Sequence, residues 1–284
     1  GLRVASAAHD GRIILWDAAT GRRVSSLVSH TDRADGCAFL PGGQDLISAG
    51  REGVVKRWAR DRIVWQADLG EPVQACLVTP DGSRVVAILY RGADVLDSDS
   101  GDYVMQVTCE TGNIEAWDLS ADGTRLALGG EELTTVFDLR TGEQTVRVEM
   151  VGQVMGCRFS PDARLVATSS GKMSNQAITS GNLAIIDVDD GDDAWLFKAD
   201  ECDQEQIGCA FLGDGRRLVT SSFDSTLRLW DLPSRRQIVA LPKACLKGRM
   251  MTSTPDARWV LSAARDWLLV LDPATGQTVA RYPI

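Results

Sequence analysis

Two markers recur along this 284-residue chain with one period, and together they leave few folds open. The first closes a short β-rich run with an apolar residue: Trp16-Asp17, Trp58-Ala59, Leu96-Asp97, Phe137-Asp138, Ile186-Asp187, Trp230-Asp231 and Leu271-Asp272, spaced 38 to 49 residues apart. The second is a turn that reads LPGG (40–43), TPDG (79–82), SADG (120–123), SPDA (160–163), LGDG (212–215) and TPDA (254–257). A period of this size marks a stacked array, in which each unit buries its apolar faces against its neighbours. The clearest unit, residues 208–231, reads as three strands: GCAF, RLVTSS and TLRLWD, separated by the turns GDGR and FDS. No segment of it has the length or period of a helix.

These residues resemble the WD40 (WD-repeat) family, in which a repeat of ~40–45 residues forms one four-stranded propeller blade. The resemblance covers essentially the whole chain, although only Trp16-Asp17 and Trp230-Asp231 keep the literal dipeptide at the third-strand position. Trp117-Asp118 is a decoy, because it falls in a first strand. What the resemblance implies is an all-β fold: one domain, 1–284, forming a seven-bladed β-propeller of four-stranded antiparallel blades. Blade boundaries fall near 1–30, 31–70, 71–110, 111–150, 151–202, 203–243 and 244–284. The first blade lacks its innermost strand, and residues outside this segment are expected to supply it. A start at Gly1 rather than Met points the same way, towards a segment of a longer polypeptide.

Composition narrows the function classes. A net charge of −9 and an acidic pI near 4.8 disfavour a nucleic-acid partner, whose backbone calls for a basic stripe. No stretch has the ~20 apolar residues of a membrane helix. Seven cysteines without a CxxC pair suit a reducing, cytoplasmic compartment. Cys37, Cys76, Cys157 and Cys209 share one first-strand position, filled elsewhere by Trp117 and Met251, and so read as small core residues.

The family's structural network of His, Ser or Thr, Asp and Trp finds matches at His30, Ser48, Glu52 and Trp58, with Glu replacing the usual Asp. Partial matches are Ser6, Asp10 and Trp16, and then Thr220, Asp224 and Trp230. A His–acid–Ser grouping resembles a nucleophilic triad. The repeat context favours scaffolding, since a buried Trp nitrogen needs an acceptor. With only His9 and His30, a multi-histidine metal centre cannot be built, so no metal or cofactor is expected. The acidic turns at 97–102 and 187–193 gather carboxylates as calcium loops do, but their counterparts DAATG, DLRTG and DPATG are ordinary Asp…Gly turns. No catalytic residue is assigned.

By resemblance, the loops joining fourth to first and second to third strands carry the partner site. The expected partner-facing set is Asp35, Gln74, Glu115, Met155, Ile207 and Arg249, with Lys172 and Met173 from an insertion at 170–182. The resulting expectation is a non-catalytic interaction or sensing module. Its partner would be a protein, a peptide or other domains of one polypeptide, as in bacterial multidomain proteins. The rivals are a propeller-type hydrolase with a channel site and an architectural subunit of a large assembly.

Overall fold

The computed structural model describes residues 2–174, 177–190, 194–197, 206–222, 225–241, 251–254, 258–264, 267–272, 275 and 277–283. The side chains of 172–174, 177–182, 194–197, 206–207, 263–264 and 283 lie outside that description. Among the described residues every regular element is a strand, β1 to β25, and every ladder is antiparallel between neighbours in sequence.

The chain divides into two compact units, 1–112 and 113–284. The first unit holds three meandering sheets. One is three-stranded: β1 (Arg3–Ala7), β2 (Arg12–Asp17) and β3 (Arg23–Val28). A four-stranded sheet follows: β4 (Ala34–Phe39), β5 (Asp45–Gly50), β6 (Val54–Ala59) and β7 (Arg62–Asp68). The third runs β8 (Ala75–Val78), β9 (Arg84–Leu89), β10 (Gly92–Asp97) and β11 (Tyr103–Thr108). Burial follows strand position. In β9, Val85, Val86, Ala87 and Ile88 are all fully buried, as expected for a strand covered on both faces, and such strands read as unbroken apolar runs. The fourth strands β7 and β11 are mostly exposed. Between the first two sheets, Ile13, Leu15 and Leu27 pack with Ala34, Leu46 and Trp58.

The second unit corrects the blade count. It contains a six-stranded sheet, β12 (Ala116–Leu119), β13 (Arg125–Asp138), β14 (Gln144–Phe159), β15 (Leu165–Ser174), β16 (Ala177–Asp187) and β17 (Ala194–Phe197). Two four-stranded sheets complete it: β18 (Gln206–Phe211) to β21 (Arg236–Leu241), and β22 (Met251–Ser253) to β25 (Thr278–Pro283). Among the described residues there are six sheets, not the seven separate blades that the repeat count implied. The runs expected as the fourth and fifth blades share one ladder. Strand β13 absorbs an expected second and third strand, and β14 absorbs an expected fourth strand and the next first strand.

The physical reason lies in EMVGQVM (149–155), which contains no Pro and no polar turn pair. Its backbone bulges at 150–152, where Gly152 has φ +77°, and then rejoins the ladder, so that Gln153 pairs with Glu131 on one side and Gly171 on the other. The sheet folds over on itself, so that the Thr134 and Thr168 hydroxyls meet at 2.9 Å inside a core that includes Val136, Val154 and Ile186. The insertion at 170–182 is expected from the sequence among the partner-facing loops. It instead prolongs the β15–β16 hairpin, with Gly171 opposite Gly181 and Lys172 opposite Ser180.

The turn marker has a clear local cause. The Ser160 hydroxyl donates to Asp162 at 2.5 Å and accepts the Leu165 N–H at 2.9 Å, closing the turn from both ends. Thr79 and Ser120 make the same pair of bonds with Asp81 and Arg84, and with Asp122 and Arg125. Ser160 is buried, so Ser160→Ala would leave a backbone donor unsatisfied. We expect that substitution to lower stability by about 1–2 kcal/mol, measured by chemical denaturation.

Candidate partner-binding site

In the first unit, four residues expected as a network lie together. Trp58 Nε1–H donates to Ser48 Oγ at 2.8 Å, and Ser48 Oγ lies 2.8 Å from His30 Nε2. His30 Nδ1 lies 2.5 Å from Glu52 Oε1. Only one proton arrangement serves every member: the Ser48 hydroxyl donates to Nε2, and Nδ1–H donates to the carboxylate. Burial pushes the His30 pKa down, against the opposing pull of Glu52, so the ring is neutral in this chain of bonds. The Trp-to-hydroxyl bond recurs in two other repeats. Trp16 donates to Ser6 at 2.9 Å and Trp230 to Thr220 at 2.9 Å. Asp10 is exposed and accepts the Arg12 N–H at 3.1 Å, apart from the Ser6–Trp16 pair. Asp224 lies outside the described residues.

The second unit contains a cleft of about 300 Å³ walled by the first strands β12, β14, β18 and β22. Its lining brings together Glu115, Trp117, Met155, Arg158 and Met251, with Cys157 and Cys209 beside them. The wall exists because small residues stand where the strands approach. A Cβ on Gly156 would lie 2.6 Å from Ser169 Oγ and 3.4 Å from Gly208 Cα. Arg158 Nη1 donates to the carbonyls of Cys157 at 2.7 Å and Trp117 at 3.2 Å, which holds its side chain against the strands. Asp118, beside it, accepts the Phe159 N–H at 2.8 Å, and burial raises its pKa against the pull of Arg158.

Cys209 is driven up to about 12 by burial, so its thiol is protonated at neutral pH and is a poor nucleophile. The cleft therefore offers thioether, aromatic and ionic surface suited to receiving a side chain. Of the residues lining the cleft, Glu115 and Met155 belong to the expected partner-facing set, whereas Arg158 does not; its signal in the sequence is its place directly after a first-strand cysteine.

The remaining expected partner residues are dispersed. In the first unit, Asp35 is held by Arg33 and Arg51, while Gln74 is half-buried and donates from Nε2 to the Leu89 carbonyl at 3.2 Å. Lys172 and Met173 lie on β15 and Ile207 on β18, but their side chains, and all of Arg249, are outside the described residues. Several carboxylates of the acidic turns are engaged by backbone N–H groups and by arginines of neighbouring strands. Asp97 Oδ1 accepts the N–H groups of Asp99 (3.0 Å) and Ser100 (3.1 Å), and its Oδ2 accepts from Arg84 at 2.7 Å. Asp187 Oδ2 accepts from Arg164 at 2.8 Å, and Asp189 pairs with Arg125 at 2.6 Å. Residues 191–193 lie outside the described set.

Comparison with known proteins bears on this geometry. The model of the WD domain, G-beta repeat family (WD40) matches residues 201–231. Over 189 residues, 60% of this chain, the sequence is 29% identical to transcription factor unc-37 of Caenorhabditis elegans. The match spans 28% of that relative's length. Among solved structures, the fold is similar to the Cps50 (Swd1) β-propeller domain of Myceliophteria thermophila. The TM-score is 0.67 at 16% identity, covering 94% of this chain and 90% of that one. It is also similar to Kuenenia stuttgartiensis hydrazine synthase, with a TM-score of 0.70 at 14% identity, covering 96% and 89%. At these identities the structural likeness establishes the fold, a β-propeller, and nothing about chemistry.

Proposed function

We infer that this WD40-repeat β-propeller is a non-catalytic interaction module that docks a protein or peptide. The observation carrying this reading is the cleft of about 300 Å³, where Met155, Met251 and Trp117 stand beside Glu115 and Arg158. Flexible thioethers and an aromatic ring accept an inserted apolar side chain, and the charged pair orients what surrounds it. Rigid flanking strands support such a site, because little ordering is required when a partner binds. As a domain, residues 1–284 act as one propeller within a longer polypeptide, in keeping with a relative of which the match spans only 28%. A sensing role for such a polypeptide belongs to the same reading, and a reducing, cytoplasmic setting agrees with the free thiols of Cys37, Cys76, Cys157 and Cys209. The hydrolase alternative is weakened at Cys209, whose buried thiol stays protonated and is not an activated nucleophile.

The test uses the folded chain as bait against an extract of its source, comparing wild type with Met155→Asp and Glu115→Arg. Met155 is half-buried and Glu115 exposed, so both variants keep the strand ladders. At least one specific partner should be retained by wild type and weakened about tenfold or more by Met155→Asp, the loss typical of a central interface residue. Equal retention by all three proteins would move the docking site away from this cleft.

A further inference from the structure

We propose that Arg33 and Arg51 form an anion clamp that receives a carboxylate from an acidic peptide segment of a partner. The two residues are set side by side by the first pair of strands in their sheet. Arg33 enters β4, Arg51 leaves β5, Ala34 pairs with Gly50, and the Arg51 N–H donates to the Arg33 carbonyl at 2.9 Å. Asp35 then bridges the guanidinium groups. Its Oδ1 accepts from Arg33 Nε at 3.2 Å and lies 3.1 Å from Nη2, while Oδ2 accepts from Arg51 Nε at 3.1 Å. Arg51 is fixed further by donating from Nη2 to the Tyr90 hydroxyl at 3.3 Å.

Charge and hydrogen-bond capacity make this a site rather than a closed ion pair. Two cations share one carboxylate, leaving one positive charge in excess. The carboxylate is only 14% exposed, but the arginine side chains are 37% and 39% exposed. Each guanidinium carries five N–H donors, and Nη1 of both has no partner among the described residues. Neighbouring acids do not fill the site. Asp32 uses Oδ1 on the Arg33 backbone N–H at 2.7 Å, and Glu52 is bound to His30. Asp35 and Tyr90 hold the forks in place before any ligand arrives, which favours the planar, bidentate geometry of a carboxylate. A peptide fits better than a long polyanion, because the net charge of −9 repels nucleic acid or an anionic membrane at long range while leaving this local attraction intact.

The proposal names a partner chemistry for the docking role and rests on that reading. The experiment titrates the folded chain with three probes: acetyl-tetraglutamate amide, its tetraglutamine counterpart, and the phosphoserine tetrapeptide. Arginine Nε–Hε resonances report binding in wild type and in Arg33→Gln, Arg51→Gln and the double variant, with near-UV circular dichroism verifying the fold. The glutamate peptide should shift the two arginine resonances and bind at least about tenfold more tightly than the glutamine peptide, an advantage that salt weakens and the double variant removes. Equal binding of the glutamate and glutamine peptides, unchanged affinity in the double variant, absence of any shift, or preference for phosphoserine would each overturn the carboxylate assignment. Partner capture that survives Arg33→Gln/Arg51→Gln but fails with Met155→Asp would leave the docking role standing and remove this clamp from it.

Discussion

Trp230→Ala is expected to lower the free energy of unfolding by about 3–5 kcal/mol, the range for deleting a large buried aromatic side chain. Trp230 is completely buried and lies in a cluster with Ala167, Leu183 and Ile185 from the six-stranded sheet and Cys209, Phe211 and Leu218 from the next. The ring spans two sheets, so its loss opens a void that neither can close alone. Its indole N–H also donates to Thr220 Oγ1 at 2.9 Å, within a buried strand. Two variants separate these contributions. Thr220→Val keeps the volume and removes the hydroxyl acceptor of this bond, at about 1–3 kcal/mol, whereas Trp230→Ala removes the bond and the packing. Guanidinium denaturation of the three proteins measures the difference. A loss below about 1 kcal/mol for Trp230→Ala would contradict tight packing between these sheets.

Ser48→Ala is the second large effect, at about 2–4 kcal/mol, because one hydroxyl serves two buried partners. Trp58 Nε1–H would lose its acceptor and His30 Nε2 its donor, with neither group able to reach water at its present depth. Little slack exists for rearrangement. A Cβ on Gly50 would overlap the Glu52 carboxylate and come within 2.5 Å of His30 Nδ1.

The same network predicts a pH dependence. The folded pKa of His30 is depressed, chiefly by burial, while in the unfolded chain the ring titrates near ~6.5. Below that value the unfolded state binds a proton that the folded state resists. The stability contributed by neutral His30 is therefore present above about pH 6.5 and declines as the pH falls below it. His30→Gln, at lower overall stability, should lose this segment of the pH profile. A wild-type profile between pH 7 and 5 that parallels that of His30→Gln would show that the ring takes up its proton without penalty.

Particular residues show how far the sequence could be read. The pairing of Trp58, Ser48 and His30 was legible because each type sits at its repeat position and a buried indole demands an acceptor. The Ser160–Asp162 turn was legible for a similar reason, since its bonds close within six residues. Asp35 was expected on a partner-facing rim, but its pairing with two arginines was not legible. The identity of its partners depends on Arg51, sixteen positions away, and on Tyr90 in another sheet. Arg158 escaped notice because nothing local distinguishes it from other strand arginines. Its relevance comes from a cleft whose walls are drawn from residues 115 to 251.

The sequence by itself determined the class of fold: a repeating antiparallel β unit, with its turn chemistry and its Trp-to-hydroxyl bonds, all of which depend on spacings within one repeat. Tertiary structure alone decided how those units divide into sheets. Whether the backbone at Met150–Val154 leaves one ladder before entering the next depends on which distant strands lie alongside it, and here both do, so two expected blades become one sheet. It also decided which side chains share a cavity. Hydrogen bonds inside a turn are set by neighbours along the chain, whereas ladder partition and convergence on a cleft are set by neighbours in space.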